Sequence, residues 1–189
     1  MVYSKAMKPS FESVLLPAEN DRLVAFLTRE EWPFHVNHRL SRDKVLKMIS
    51  EGMFDGSNHE CFWILDEAKR EIGFIRLFDL DDVDDGYPLF DLRIRGAHRG
   101  QGLGRFSVQW ITKYLFEKYP QLDRIAGTTR VDNSAMRKTF RSCGYVKEGH
   151  FRKDWSSSSG DCFDTVKYGI LRDDWISGMT TPVLWNDEP

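Results

Sequence analysis

Apolar positions recur along the chain with two periods, and each change from period two to period 3.6 marks a new element. The apolar stretch at 11–16 ends at Pro17 and reads as a short strand, after which Asn20 or Asp21 caps a helix to about Thr28. Trp32, Pro33, Phe34 and His35 follow in a turn that fits neither period, where bulky aromatics either line a pocket or cover the core. Ser41 opens a second helix with Val45, Met48 and Ile49 inward and Gly52 as its stop. Residues 60–65 and 72–78 form a hairpin around a charged turn. Phe90, Leu92 and Ile94 alternate with Asp91, Arg93 and Arg95 as a half-buried strand; from Leu103 the period turns helical, with Phe106, Trp110 and Tyr114 on one stripe and Ile111 and Leu115 beside it. A strand at 123–131 comes next, then a short helix capped by Asp132 and Asn133, carrying Met136, Phe140 and Cys143 inward and stopped by Gly144. A strand pair at 145–151 and 162–171 flanks a Ser-rich turn, and a tail with Trp175 and Trp185 is expected to fold back on the rest.

Composition narrows the class. With 189 residues, 41% hydrophobic and 30% charged, the chain is expected to form one folded domain over 1–189. A net charge of −2 argues against a nucleic-acid partner, so the arginines between 93 and 105 are local and suit one phosphorylated ligand. Cys61, Cys143 and Cys162 have no metal-ligand spacing and read as buried free thiols in a reducing compartment. The first residues lack the apolar run of a secretory leader and no stretch approaches spanning length, so a cytoplasmic location without membrane attachment is expected.

The chemistry concentrates in the turn Arg-Gly-Gln-Gly-Leu-Gly at 99–104, between the central strand and its helix. Gly100, Gly102 and Gly104 leave no Cβ to obstruct a ligand, and the helix start beyond them offers unpaired N–H groups at the positive end of its dipole. That is an anion site, flanked by Arg99 and Arg105 and preceded by Arg93, Arg95 and His98. Counting from Gly100 or Gly102 excludes the dinucleotide fingerprint, since Arg105 or Ser107 stands where its last glycine belongs, and no Gly-Lys-Ser/Thr ending marks a P-loop.

The remaining pattern, R-x-x-G-x-G directly after a strand, resembles the pyrophosphate motif of the GNAT superfamily of N-acetyltransferases. The element order over roughly 60–171, with the Asn133-led helix and the runs at 144–155 and 163–175, is similar to the Rim-type branch that acetylates ribosomal-protein N-termini. The resemblance implies an α/β (α+β) fold with a mixed, mostly antiparallel twisted sheet, splayed in the middle and flanked by helices. It implies acetyl-CoA as co-substrate, no metal, and an amine acceptor attacking the thioester directly through a tetrahedral intermediate. It further implies that Leu92, Arg93 and Ile94 offer backbone groups to the pantetheine, that Arg99, Gly100, Gln101, Gly102, Leu103, Gly104 and Arg105 cradle the pyrophosphate, and that Asn133 lies near the pantetheine and its waters. A homodimer is compatible with it.

The sequence departs from the family at the proton-handling positions. Phe140 stands where relatives place an acidic tyrosine, Met136 where others place a serine, and Thr128 where some carry a glutamate. Asp91, on the polar face of the central strand, and Glu148 are then the catalytic candidates, with His150 beside them; the competing role for Asp91 is an ion pair with Arg93 or Arg95. Cys143 falls on an apolar stripe and is expected to pack. His35 and His38 lack a third ligand for a metal. Asp79, Asp81, Asp82, Asp84 and Asp85 read as a solvated tip, or as an attractor of a cationic acceptor such as a polyamine or aminoglycoside. A non-catalytic acyl-CoA-binding module would keep the glycines and arginines and need no acid.

Overall fold

The computed structural model describes residues 8–81, 83–84, 87–157 and 160–185. Its elements run β1 (Ser10–Ser13), α1 (Asn20–Thr28), α2 (Arg42–Ser50), β2 (Glu60–Leu65), β3 (Glu71–Phe78), β4 (Leu89–Ile94), α3 (Leu103–Lys118), β5 (Arg124–Arg130), α4 (Ser134–Ser142), β6 (Val146–Ser156), β7 (Cys162–Leu171) and α5 (Arg172–Ser177), with one 3₁₀ turn at Gly96–His98 before α3. Strands β1 to β4 form an antiparallel sheet in chain order, and β5, β7 and β6 form a second antiparallel sheet. No ladder joins β4 to β5 among the described residues.

The central hairpin is apolar on both faces because both are covered. Cys61, Trp63, Leu65 and Phe74 face the side of α1 and α2, with Leu23, Leu27, Trp32 and Val45. Phe62, Ile64, Ile75 and Leu77 face the other side, with Val108, Ile111 and Leu115 of α3 and, from the second sheet, Val166 and Ile170. The inward stripe of α3 is therefore 103–107–108–111–115; Phe106 is 43% exposed, and Trp110 and Tyr114 lie on the flank, stacked at 5.0 Å with Phe11 over Trp110 at 4.4 Å. Trp110 and Tyr114 of the aromatic stripe thus cover Phe11 of β1 and Phe62 of β2, beside the buried stripe of Ile111 and Leu115.

Caps follow the sequence in part. Ser41 Oγ accepts from Lys44 N at 3.2 Å, and Asn133 Oδ1 from Met136 N at 3.2 Å. The α1 cap position is Glu19, one residue earlier than expected, and its carboxylate is engaged by Arg22, Leu15 N and Trp63 Nε1. At the other end, 172–177 forms a helix that was not expected; Trp175 packs on Phe116 at 5.3 Å, and Trp185, 57% exposed, lies with its ring centre 5.9 Å from Lys147 Nζ of β6. Cys162 is exposed, unlike Cys61.

The gap between β4 and β5 is closed at one end by rings. Phe90 and Phe140 lie 6.0 Å apart over Gly127, where a Cβ would sit 2.5 Å from Phe140 Cζ and 3.2 Å from Phe90 Cζ. Gly127→Ala is expected to cost about 1–3 kcal/mol by forcing those rings apart. Thermal unfolding checks this: an unchanged midpoint would mean the rings yield freely.

Candidate active site

Beyond Gly127 the diverging strands leave two cavities of about 410 and 340 Å3, within the usual range for small-molecule sites. They share Phe34, His35, Leu92, Arg93, Asn133 and Met136 as a common wall. The smaller lies toward the glycine turn, the larger toward α2 and the β3–β4 hairpin.

In the smaller cavity the expected anion site is built as the glycines require. Gly100 and Gly102 have φ of +74° and +83°, conformations that disfavour other residues. A Cβ on either would meet nothing within 4 Å. Among the described residues, no carbonyl or side chain accepts from the amides of residues 100–105. The N–H groups of Leu103, Gly104 and Arg105 in the first turn of a 16-residue helix, with those of residues 100–102 just before it, therefore remain for a ligand. Gly104 has a second duty, for its Cβ would lie 3.2 Å from Thr139 Oγ1 where α3 meets α4. This turn fits a pyrophosphate, and acetyl-CoA suits the cavity beside it.

Strand register decides which of the expected backbone contacts are available. Arg95 N donates to Ile72 O, and the pairing Phe74 with Arg93 directs the peptide groups of Arg93 at β3 as well. Those of Leu92 and Ile94 face the open edge, where Arg99 Nε already donates to Ile94 O at 2.9 Å. The expectation for Arg93 is thus corrected: its side chain, not its backbone, reaches the cavities. Arg99 and Arg105 line the smaller one, as does His98. The Gln101 side chain turns away to Ala97 O at 2.9 Å, and Arg95 lies over Phe26 at 5.0 Å. Asn133 stands at the common wall with Nδ2 donating to Thr129 Oγ1 at 3.0 Å.

The aromatic loop at 32–38 completes the wall. Trp32 N donates to His38 O at 2.6 Å and His35 N to Trp32 O at 3.0 Å, closing a compact turn. Arg130 ties it to β5 by donating to Pro33 O at 3.3 Å, with its guanidinium 5.4 Å from the Phe34 ring centre. So held, His35 shares a 2.8 Å hydrogen bond between its Nε2 and Asp91 Oδ1. Asp91 Oδ2 accepts from Arg93 Nε at 3.1 Å and Nη2 at 2.9 Å. His35 Nδ1 and Arg93 Nη1 are buried with no partner among the described residues.

Electrostatics divides the roles. Burial alone would raise the Asp91 carboxyl, but the Arg93 guanidinium and the His35 ring outweigh it and hold the group well below the usual carboxylate range. Asp91 is therefore an anion whose oxygens are already committed, which makes it a poor base and corrects its expected role. As a carboxylate it can only accept, so it holds the proton of neutral His35 on Nε2 and leaves a lone pair on Nδ1. A depressed carboxyl stabilises the fold above its unfolded value near ~3.9, and that contribution is lost as pH falls toward the folded value. Asp91→Asn should thus give a lower but flatter stability curve between about pH 5 and 2, measured by denaturant titration at each pH; an unchanged slope would contradict the pairing.

The other candidates lie elsewhere. Glu148 pairs with Arg124 and lines neither cavity, and His150 pairs with Asp164 at 2.8 Å on the exposed part of β6. Phe140 is 1% exposed within a cluster of rings, and Met136 and Thr128 line the larger cavity without an acid to give. Burial raises the Cys143 thiol, which contacts Arg105 O at 3.6 Å, as packing requires. Asp79, Asp81 and Asp84 line neither cavity; Asp82 and Asp85 lie outside the described residues. Two residues escaped the sequence reading: His35, weighed only as a pocket aromatic or metal ligand, and Arg76, which enters the larger cavity from β3. Nothing in the sequence links His35 to Asp91, 56 positions away.

Known proteins agree with this geometry. The chain is 25% identical over 143 residues to human N-acetyltransferase 8B, covering 74% of this chain and 58% of that protein. It is 23% identical over 137 residues to the spermidine N(1)-acetyltransferase of Vibrio cholerae, 72% of this chain and 77% of that one. The chain thus spans about three fifths of the first of these relatives. Among solved structures, the V. cholerae spermidine N-acetyltransferase with CoA and spermine superposes with a TM-score of 0.70 at 19% identity, over 89% of this chain and 98% of that chain. A chimera of that enzyme with hSSAT reaches 0.74 at 20% identity, over 89% and 98%. The family model described as the acetyltransferase (GNAT) domain matches residues 14–146. A splayed sheet, a glycine turn with bare amides on its open side and this match together establish that the chain belongs to the GNAT acetyltransferase family.

Proposed function

We propose that this protein transfers the acetyl group of acetyl-CoA to the α-amine of an apolar acceptor, with His35 as the group that handles the amine proton. One observation carries the reading: His35, oriented through Nε2 by an ionised Asp91, lines the wall shared by both cavities, and its Nδ1, enclosed behind that wall, has no partner among the described residues. Bound acetyl-CoA supplies an activated acyl group as its thioester. The chain supplies the rest. The amides of 100–105 and the Arg99 and Arg105 guanidinia hold the diphosphate, and the open edge at Leu92 and the Ile94 N–H, whose carbonyl Arg99 already occupies, aligns the pantetheine arm.

A primary amine is mostly protonated near neutrality and must lose a proton to become nucleophilic. His35 Nδ1 accepts that proton, and the imidazolium formed is steadied by Asp91, as a carboxylate steadies the histidine of a hydrolytic triad. Phe140 and Met136 having none to give, this imidazolium is also the proton source for the leaving sulfur.

The acceptor reading rests on the larger cavity. Its lining is dominated by side chains such as Phe34, Met48, Phe54, Phe78 and Trp155, and its one carboxylate, Asp91, is committed to Arg93 and His35. A polyamine would meet Arg76 and Arg93 and no spare carboxylate, despite the spermidine activity named for the V. cholerae relatives. A peptide N-terminus, the acceptor class that the Rim-type resemblance implies, suits this lining better when its first residue is apolar. Acceptor-dependent thiol release from acetyl-CoA tests the reading, with apolar-first peptides and spermidine as acceptors and mass spectrometry locating the acetyl group. Binding of acetyl-CoA without release for any amine would leave a binding module instead.

A further inference from the structure

Arg76 is the feature of the larger cavity that acetyl transfer alone does not use. It stands directly across the ladder from Asp91, so the two side chains share a sheet face and Arg76 is the cross-strand neighbour of the residue that orients His35. Its Nη1 donates to Met53 O at 3.2 Å and its guanidinium lies 4.4 Å from the Phe78 ring centre and 5.9 Å from that of Phe54. Its Nε is buried with no acceptor, and no carboxylate among the described residues lies within ion-pairing distance. Asp91, the nearest candidate by register, already serves Arg93 and His35.

A half-buried guanidinium stacked between rings at the cavity wall, with an enclosed Nε that has no acceptor and no carboxylate beside it, is an incomplete ion pair. Burying charge without a partner is unfavourable, and Arg is the side chain best shaped to complete such a site with a carboxylate. Arg93 Nη1, also buried and unpartnered, adds to the positive potential on the same face. Positive charge there has a second effect: it disfavours the ammonium form of a nearby amine and so favours the form that reacts.

We infer that Arg76 selects the acceptor by its charge: an α-amine bearing an apolar side chain and, beside it, a carboxylate that pairs with the Arg76 guanidinium. That carboxylate has two chemical sources, the acceptor's own C-terminus in a free amino acid, or an acidic second residue in a peptide. The inference rests on the transferase reading and narrows it to an anionic acceptor.

The test measures kcat/KM for thiol release with L-phenylalanine against L-phenylalaninamide, and with peptide amides beginning Phe-Asp against Phe-Asn, with spermidine alongside. The expected result is a preference of at least about tenfold for the carboxylate member of one pair, falling toward unity in Arg76→Gln. Preference in the first pair identifies a free amino acid; preference in the second alone identifies a peptide. A role of Arg76 in packing only would lower every rate and leave that ratio unchanged. Wild-type ratios near unity, or a preference for spermidine, would overturn the inference while the observed release upheld acetyl transfer. Acetyl-CoA binding with no release in any arm would overturn both, so the two failures are distinguishable.

Discussion

Replacing His35 by glutamine should lower kcat by about 10²–10⁴-fold while acetyl-CoA binding is retained. The binding turn at 99–105 makes no use of the imidazole, whereas the proton path proposed above ends on Nδ1, and Glu148, Phe140 and Met136 offer no substitute within the cavities. Asp91→Asn should fall in the same direction, because an amide no longer dictates which ring nitrogen carries the hydrogen. As the two act as a unit, the double variant should be little worse than His35→Gln alone. Single-turnover thiol release after loading with acetyl-CoA separates the chemical step from binding. Full activity in His35→Gln would remove the imidazole from the reaction and return the proton path to water.

The second large effect concerns the turn. Gly102→Val is expected to raise the acetyl-CoA dissociation constant at least about 100-fold, roughly 2.7 kcal/mol. Valine at φ +83° is strained by ~1–2 kcal/mol, yet its Cβ meets no protein atom within 4 Å, so the fold has room for it. The side chain instead stands in the space beside the amides of Leu103 and Gly104, where charge-assisted bonds to a diphosphate are worth about 1.5–3 kcal/mol each. Gly104 is a less clean probe because its replacement also presses on Thr139. Calorimetric titration of a variant with wild-type circular dichroism decides the matter; near-native affinity would move the diphosphate elsewhere.

These two predictions draw on different depths of information. The glycine turn was readable because its signal is local: six residues, a change of period and an unmistakable run of missing side chains fix the backbone and its donors together. Most elements were readable for the same reason, with the hairpin at β2 and β3 and the Asn133 cap close to their expected bounds. The errors arose where burial depends on a distant partner. For α3 both the aromatic stripe of Phe106, Trp110 and Tyr114 and the stripe of Ile111 and Leu115 beside it were legible, but which of the two the sheet buries is decided by packing on Val108 and Ile111. Asp91 was identified from its strand face, whereas its competitor role as an ion pair prevailed because a loop 56 residues upstream brings His35 to the same carboxylate. Arg76 belongs to this class as well, its surroundings fixed by register with β4 and by Phe54 beyond α2.

The central claim is that bare amides in the turn before α3 receive the diphosphate of acetyl-CoA. Amide spectra of protein labelled with ¹⁵N at glycine test it most directly, during titration with acetyl-CoA. The account predicts that the Gly100, Gly102 and Gly104 signals shift in a saturable, parallel manner, while Gly56 and Gly178, far along the chain, hold still. Saturation with those three signals unmoved and the changes clustered elsewhere would contradict it.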